Sequence, residues 1–247
     1  MRPERGFTLI EAMVGMVIGT LVMAAAYSIW RTHQVEGMRL SQRIELRNSL
    51  TLATKRLQGS VTLAGIGLSG AASLAKDDAV GSDTLTLYTN PEERSAALVS
   101  PASHSTAAIH VDAPSVFSPG GYVALVGGGH AELRRIDRIQ GPYLMLDSPF
   151  ANDYEIAGTR AMPARRERFY SDQDSTRFLR ETPQGVNIVA MRVKNFQVSF
   201  ADMHGEPTTE ASKVRTVRFS LTGIYPARQG ALNSMIISST AIPRNLL

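Results

Sequence analysis

The sequence predicts an α+β protein in which one long N-terminal helix, half membrane-spanning and half amphipathic, packs on an antiparallel β-rich head. Three observations carry that expectation. An apolar run from Phe7 to Trp30 holds a single charged residue, Glu11. Beyond Arg31, the residues Leu46, Leu50, Ala53, Leu57, Val61 and Ala64 recur at three- or four-residue steps, the spacing of one helix face. From residue 84 onward the apolar period becomes two, as where Leu85 and Leu87 alternate with Thr84 and Thr86.

The apolar run is long enough for one tilted crossing. As a helix its 24 residues span roughly 36 Å, against a hydrocarbon core of about 30 Å. Arg2 and Arg5 precede it and favour a cytoplasmic N-terminus. Tyr27 and Trp30 stand at the far end, where amphipathic rings anchor at the interface. Everything after residue 31 is then expected outside the cytoplasm. Ala24-Ala25-Ala26 mimics a signal-peptidase site. The long apolar run and a helical pattern that continues past residue 31 argue for retention instead. Gly15 and Gly19 form a GxxxG and, with Ala12, a small-residue face suited to helix packing.

The stretch Arg5-Gly6-Phe7-Thr8-Leu9-Ile10-Glu11 followed by an apolar helix resembles the type III signal of type IV pilins and type II secretion pseudopilins. That resemblance implies cleavage between Gly6 and Phe7 by a prepilin peptidase and N-methylation of Phe7. It also implies retention of the apolar segment as anchor and filament-core helix. The chemistry of the residues agrees. Cleavage creates a cationic amine on Phe7, one helical turn from Glu11. A charge at mid-membrane costs about 2.5–3.5 kcal/mol, so a carboxylate there needs a partner. The expected partner is the amine of a neighbouring subunit, in a pair that also sets register. Snorkelling of Glu11 to the cytoplasmic interface is the plainer alternative.

The helical pattern extends through the amphipathic stripe, with Arg39, Arg43, Glu45, Arg47 and Lys55 on polar faces. No proline occurs between Pro3 and Pro91. One helix over about residues 7–65 is expected, ending in Ala64-Gly65-Ile66-Gly67-Leu68-Ser69-Gly70. The G-x-G-x-x-G spelled there follows a helix and precedes a polar loop, so it reads as a helix stop and not as a dinucleotide fingerprint. The segment 47–67, the strand Ser82–Leu87 (SDTLTL) and the strand 189–200 are similar to PilW-type minor pilins. Relatives often carry cysteines in the head, and this chain has none. The divisions expected are a leader over 1–6, a transmembrane and filament-core helix over 7–30, the amphipathic half over 31–65, and a β-rich head over 66–247.

Within the head, Phe196, Val198 and Phe200 alternate with Gln197 and Ser199, and Val217, Phe219 and Leu221 alternate with Arg218 and Ser220. Half-buried antiparallel strands follow from that pattern. Further strands are expected at 106–111, 121–126, 132–139, 143–147, 167–171, 176–181 and 235–240. Turns are expected at Gly127-Gly128-Gly129, Gln140-Gly141-Pro142 and Gly205-Glu206-Pro207. Residues 70–82 and 90–105 read as loops.

No catalytic, cofactor-binding or metal constellation emerges. The five histidines are scattered, and the lack of cysteine removes thiol chemistry, disulfides and thiolate zinc sites. Asp172 and Asp174 make a D-x-D, but Arg177 stands where a calcium loop needs glycine, so a surface turn is expected. The run Ala164-Arg165-Arg166-Glu167-Arg168 mixes charges and reads as a solvated strand edge in preference to a phosphate site. A formal net charge of +4 is well short of a nucleic-acid footprint. The chain is therefore expected to act by interaction and not by catalysis, with no cofactor and no nucleic acid. The resemblance implies a minor pilin of the type IV pilus that primes assembly or sits near the tip. Its implied partners are other minor pilins, the major pilin, the prepilin peptidase and the inner-membrane assembly platform. The expected location is the inner membrane with the head periplasmic, and then the pilus at the cell surface. The alternatives are a minor, J-like pseudopilin of type II secretion and, from another class, a membrane-tethered envelope enzyme or binding module.

Overall fold

A computed structural model describes residues 8–68, 74–79, 82–210, 213–227 and 231–243. The expected fold class holds: a 55-residue helix, α1 (Leu9–Leu63), packs on an antiparallel β head. At 1.5 Å per residue α1 is roughly 80 Å long. Its stop is the expected one. Gly65 and Gly67 adopt φ of +78° and +64°, and the Gly65 N–H donates to the Tyr88 carbonyl at 2.9 Å. A Cβ on Gly67 would lie 2.2 Å from the Asn90 carbonyl oxygen, so glycine is required there for approach as well as for conformation.

The strands are β1 (Leu74–Ala79), β2 (Ser82–Thr89), β3 (Ala96–Ala97), β4 (Ala108–His110), β5 (Tyr122–Gly127), β6 (His130–Gln140), β7 (Tyr143–Leu146), β8 (Arg160–Asp172), β9 (Arg177–Thr182), β10 (Gly185–Met191), β11 (Val193–Ala201), β12 (Thr216–Pro226) and β13 (Leu232–Ala241). A ten-stranded sheet runs β1-β2-β8-β5-β6-β7-β4, with β9 and β3 also on β8 and β10 on β9. A second sheet is β11-β12-β13. The glycine turns fall where expected: Gly128 and Gly129 join β5 to β6, and Gly141 joins β6 to β7, all at positive φ.

Two cores result. The larger gathers the α1 stripe with Leu85, Leu87, Phe169, Phe178, Phe196, Phe219 and Leu221. Leu50, Leu57 and Val61 are fully buried in it, and each such side chain stabilises the packing by about 1.5–3 kcal/mol. Gly223 of β12 makes the close approach possible, because a Cβ there would meet the Leu46 and Leu50 methyls at 2.9 Å. Gln58 Nε2 adds a polar tie by donating to Ser239 Oγ at 2.7 Å. The second core lies away from the helix and contains Ile109, Val123, Leu125, Ile136, Leu144, Phe150 and Tyr154. Thirteen-residue β8 joins them, with Phe169 in one core and Ala161 in the other.

Four expectations need correction. Residues 74–79, read as loop, form β1; pairing with β2 needs backbone only, so the polar sequence Leu-Ala-Lys-Asp-Asp-Ala was no obstacle. Within 90–105, also read as loop, Ala96–Ala97 pairs with β8. The strand expected at 167–171 begins at Arg160, despite Pro163. That proline pairs with Val123 alone, and the missing N–H is harmless where no strand lies on the other side. Finally, 189–200 is not one strand. Arg192, at φ +61°, turns the chain between β10 and β11 and passes it from one sheet to the other.

Candidate functional site: the free half of the helix and its N-terminal cap

Gly6 and Phe7 lie outside the described residues, so the geometry begins at Thr8. Thr8 is the N-cap of α1, in extended conformation. Its N–H and its hydroxyl both donate to Glu11 Oε2, at 2.9 and 3.0 Å, and the Glu11 N–H donates back to Thr8 Oγ1 at 3.3 Å. This is a capping box, which satisfies donors that the first helical turn otherwise leaves unpaired. Sequence reasoning assigned Glu11 no partner before cleavage and gave Thr8 no role. The signal was present: a threonine, two residues and a glutamate directly ahead of an apolar run is the sequence signature of this cap.

From Leu9 to Glu45 no residue of α1 is buried, and the segment is long and apolar enough to cross a membrane. Leu9, Ile10, Met16, Leu21 and Met23 are all more than three-fifths exposed. The apolar residues run all round the helix and not along one stripe, the pattern of a segment surrounded by lipid or by other apolar helices. Thr20 is no exception, since its hydroxyl donates to the Val17 carbonyl at 2.9 Å within the same helix. Ala12 is half-buried, and an added Cβ on Gly15 or Gly19 would meet nothing within 4 Å. The small-residue face is therefore open to a partner. Tyr27 and Trp30 are exposed neighbours, with ring centroids 5.9 Å apart.

The head residues weighed for chemistry are structural. Asp172 holds the β8–β9 turn by accepting the Asp174 N–H and the Ser175 hydroxyl. Those two hydrogen bonds, the hydroxyl's the stronger, keep its carboxyl below the ordinary aspartate range. Arg166 and Arg168 both pair with Glu181, and Glu167 pairs with Arg180 and accepts from Ser60 of the helix. Glu132 was not singled out in the sequence, yet it organises the loop after β7. It accepts the N–H groups of Ala151 and Asn152 and pairs with Arg134 at 2.7 Å. No group of three or more His, Cys, Asp or Glu suited to a metal ion occurs among the described residues.

No curated protein and no solved structure matches the chain. Residues 1–27 match the family described as the prokaryotic N-terminal methylation motif. The motif covers residues 1–7, the capping box and most of the free apolar helix, and with that helix it supports a type IV pilin-like or pseudopilin-like protein.

Proposed function

We propose that the chain is a PilW-like minor pilin, made as an inner-membrane precursor with its head periplasmic. A prepilin peptidase cleaves it between Gly6 and Phe7, methylates Phe7, and leaves the helix of 7–30 to move from the bilayer into a filament core. The observation that carries this reading is the combination of a methylation motif with a helix in which none of residues 9–45 is buried. An anchor alone needs about 20 residues to span the membrane; the remaining exposed turns are length available for bundling with other pilin helices. Ala12, Gly15 and Gly19 supply the close-packing face, and Tyr27 and Trp30 hold the interface before extraction.

Glu11 acts twice in this scheme. In the precursor it caps its own helix through Thr8. After cleavage a new amine appears on Phe7, next to Thr8, and the carboxylate gains a cationic partner on an adjacent subunit. The subunit works by interaction, priming assembly with other minor pilins or sitting near the tip, and catalyses nothing. Deleting the gene and scoring surface pili and type II secretion in parallel tests the role. Loss of pili with normal secretion is expected. Normal piliation removes the assembly role, and a secretion defect without a pilus defect transfers the chain to a J-like pseudopilin.

A further inference from the structure

Strand β8 has a gap beside it. Residues 168–170 are flanked by β2 and β9, and residues 160–161 by β3 and β5. Between them, residues 165–167 pair with β2 alone, through Thr89↔Arg165, Tyr88↔Arg166 and Leu87↔Glu167. Among the described residues no loop backbone bonds that open side. Since successive residues of a strand point their N–H and C=O to opposite sides, at least one of the three offers an unpaired donor and acceptor there. A half-open cleft of about 600 Å³ lies at this junction between the two cores, lined by none of the residues of α1.

The cleft is cationic. Arg94, Arg135, Arg165 and Arg166 line it, against one acidic residue, Glu92. Two of the four are committed: Arg94 pairs with Glu92 at 2.7 Å, and Arg166 reaches Glu181 and donates to the Tyr122 hydroxyl at 2.9 Å. Arg135 and Arg165 are exposed and have no side-chain partner among the described residues. The wall is held firmly. Buried Asn90 donates to the carbonyls of Gly67 and Arg94, which fixes the loop carrying Arg94 to the end of the helix.

We propose that this cleft docks an acidic, extended peptide segment of a partner protein. The segment pairs its backbone with the open side of β8 at 165–167 and sets its carboxylates against Arg135 and Arg165. Both features are needed to choose the ligand. Guanidinium groups alone suit any carboxylate or phosphate, which they bind bidentately. A vacant strand position selects a polypeptide, because only an extended chain repeats the donor and acceptor spacing of a missing strand. The volume lies in the usual range of roughly 300–1,000 Å³ for pockets that take a short ligand. The inference goes beyond the assembly reading and does not depend on it, since it concerns the head alone.

The test uses the full-length chain in detergent and a fluorescein-labelled hexaglutamate peptide, read by fluorescence polarisation. Saturable binding is expected. Hydrogen bonds to charged groups are the stronger ones, so Arg135→Gln with Arg165→Gln should weaken binding by at least about tenfold. Both residues are exposed, and an unchanged melting temperature confirms that the variant is folded. Hexaglutamine, and hexaglutamate N-methylated at alternate residues, should bind markedly less well than hexaglutamate. Absence of hexaglutamate binding, or binding unchanged in the double variant, overturns the proposal. Equal affinity for the N-methylated peptide overturns strand pairing. Displacement by polygalacturonate or inorganic phosphate at matched charge concentration marks a general anion site and overturns the choice of a peptide.

Discussion

The two halves of α1 are one continuous helix with opposite fates. Residues 46–63 put a narrow stripe of Leu46, Leu50, Ala53, Leu57 and Val61 into the head core and leave their other faces polar. Residues 9–45 are exposed throughout or nearly so, with the segment before Arg31 apolar on every side. The amphipathic half is satisfied within its own chain. The apolar half is not, and only lipid or other apolar helices can cover it. A single helix thereby joins a folded head to a segment whose partners lie elsewhere, which is what a subunit that leaves a membrane for a filament requires.

The largest effect is expected from a change at the proposed cleavage site. Gly6→Val should leave the head folded and the chain in the membrane while abolishing its appearance in sheared surface pili, read by immunoblot. Next, the halves should respond oppositely to truncation. Leu50→Ala leaves a cavity in the core and should cost about 2–5 kcal/mol of head stability. Leu21→Ala on the free half should leave the thermal midpoint of the head unchanged. Gly223→Ala sharpens the same boundary, because the added methyl meets two buried leucines; a loss of about 1–3 kcal/mol is expected by calorimetry.

Acid should weaken the head through Glu132. Burial pushes the Glu132 carboxyl up, but the N–H groups of Ala151 and Asn152, the Asn152 amide and the Arg134 charge together hold it below the ordinary glutamate value. With the folded pKa depressed, its contribution is complete above the unfolded value of about 4.3 and fades as pH falls through the lower folded value. Glu132→Gln should therefore be less stable than the parent at neutral pH, with the gap narrowing below about pH 4. The smallest effect is expected at Thr54, whose buried hydroxyl has no hydrogen-bond partner among the described residues. Thr54→Val should be neutral or stabilise the helix–head packing by up to about 1 kcal/mol.

Much of this architecture was legible because it is periodic. The stripe Leu46 to Ala64 announced both the helix and the face it buries, and the Ala64-Gly65-Ile66-Gly67 stop marked its end. The strands with clean alternation, around Leu85, Phe196 and Phe219, were equally plain. What escaped depends on pairing and not on local pattern. Strand β1 is polar and exists through its register with β2. The first half of β8 contains Pro163, which reads as a breaker until its unpaired side is known. The vacancy beside Arg165–Glu167 arises from where β5 and β9 end on β8, information that no local stretch contains. At the N-terminus the Thr8–Glu11 cap is written in the sequence itself, as a threonine three residues ahead of a glutamate at the start of an apolar run.

If the free half of α1 is a processed filament-core helix, as proposed, the N-terminus of the mature chain must show it. Mass spectrometry of the protein recovered from sheared surface pili should find a chain that begins at N-methylated Phe7. A chain that retains Met1, or one absent from the pili and found only in the membrane, would contradict it.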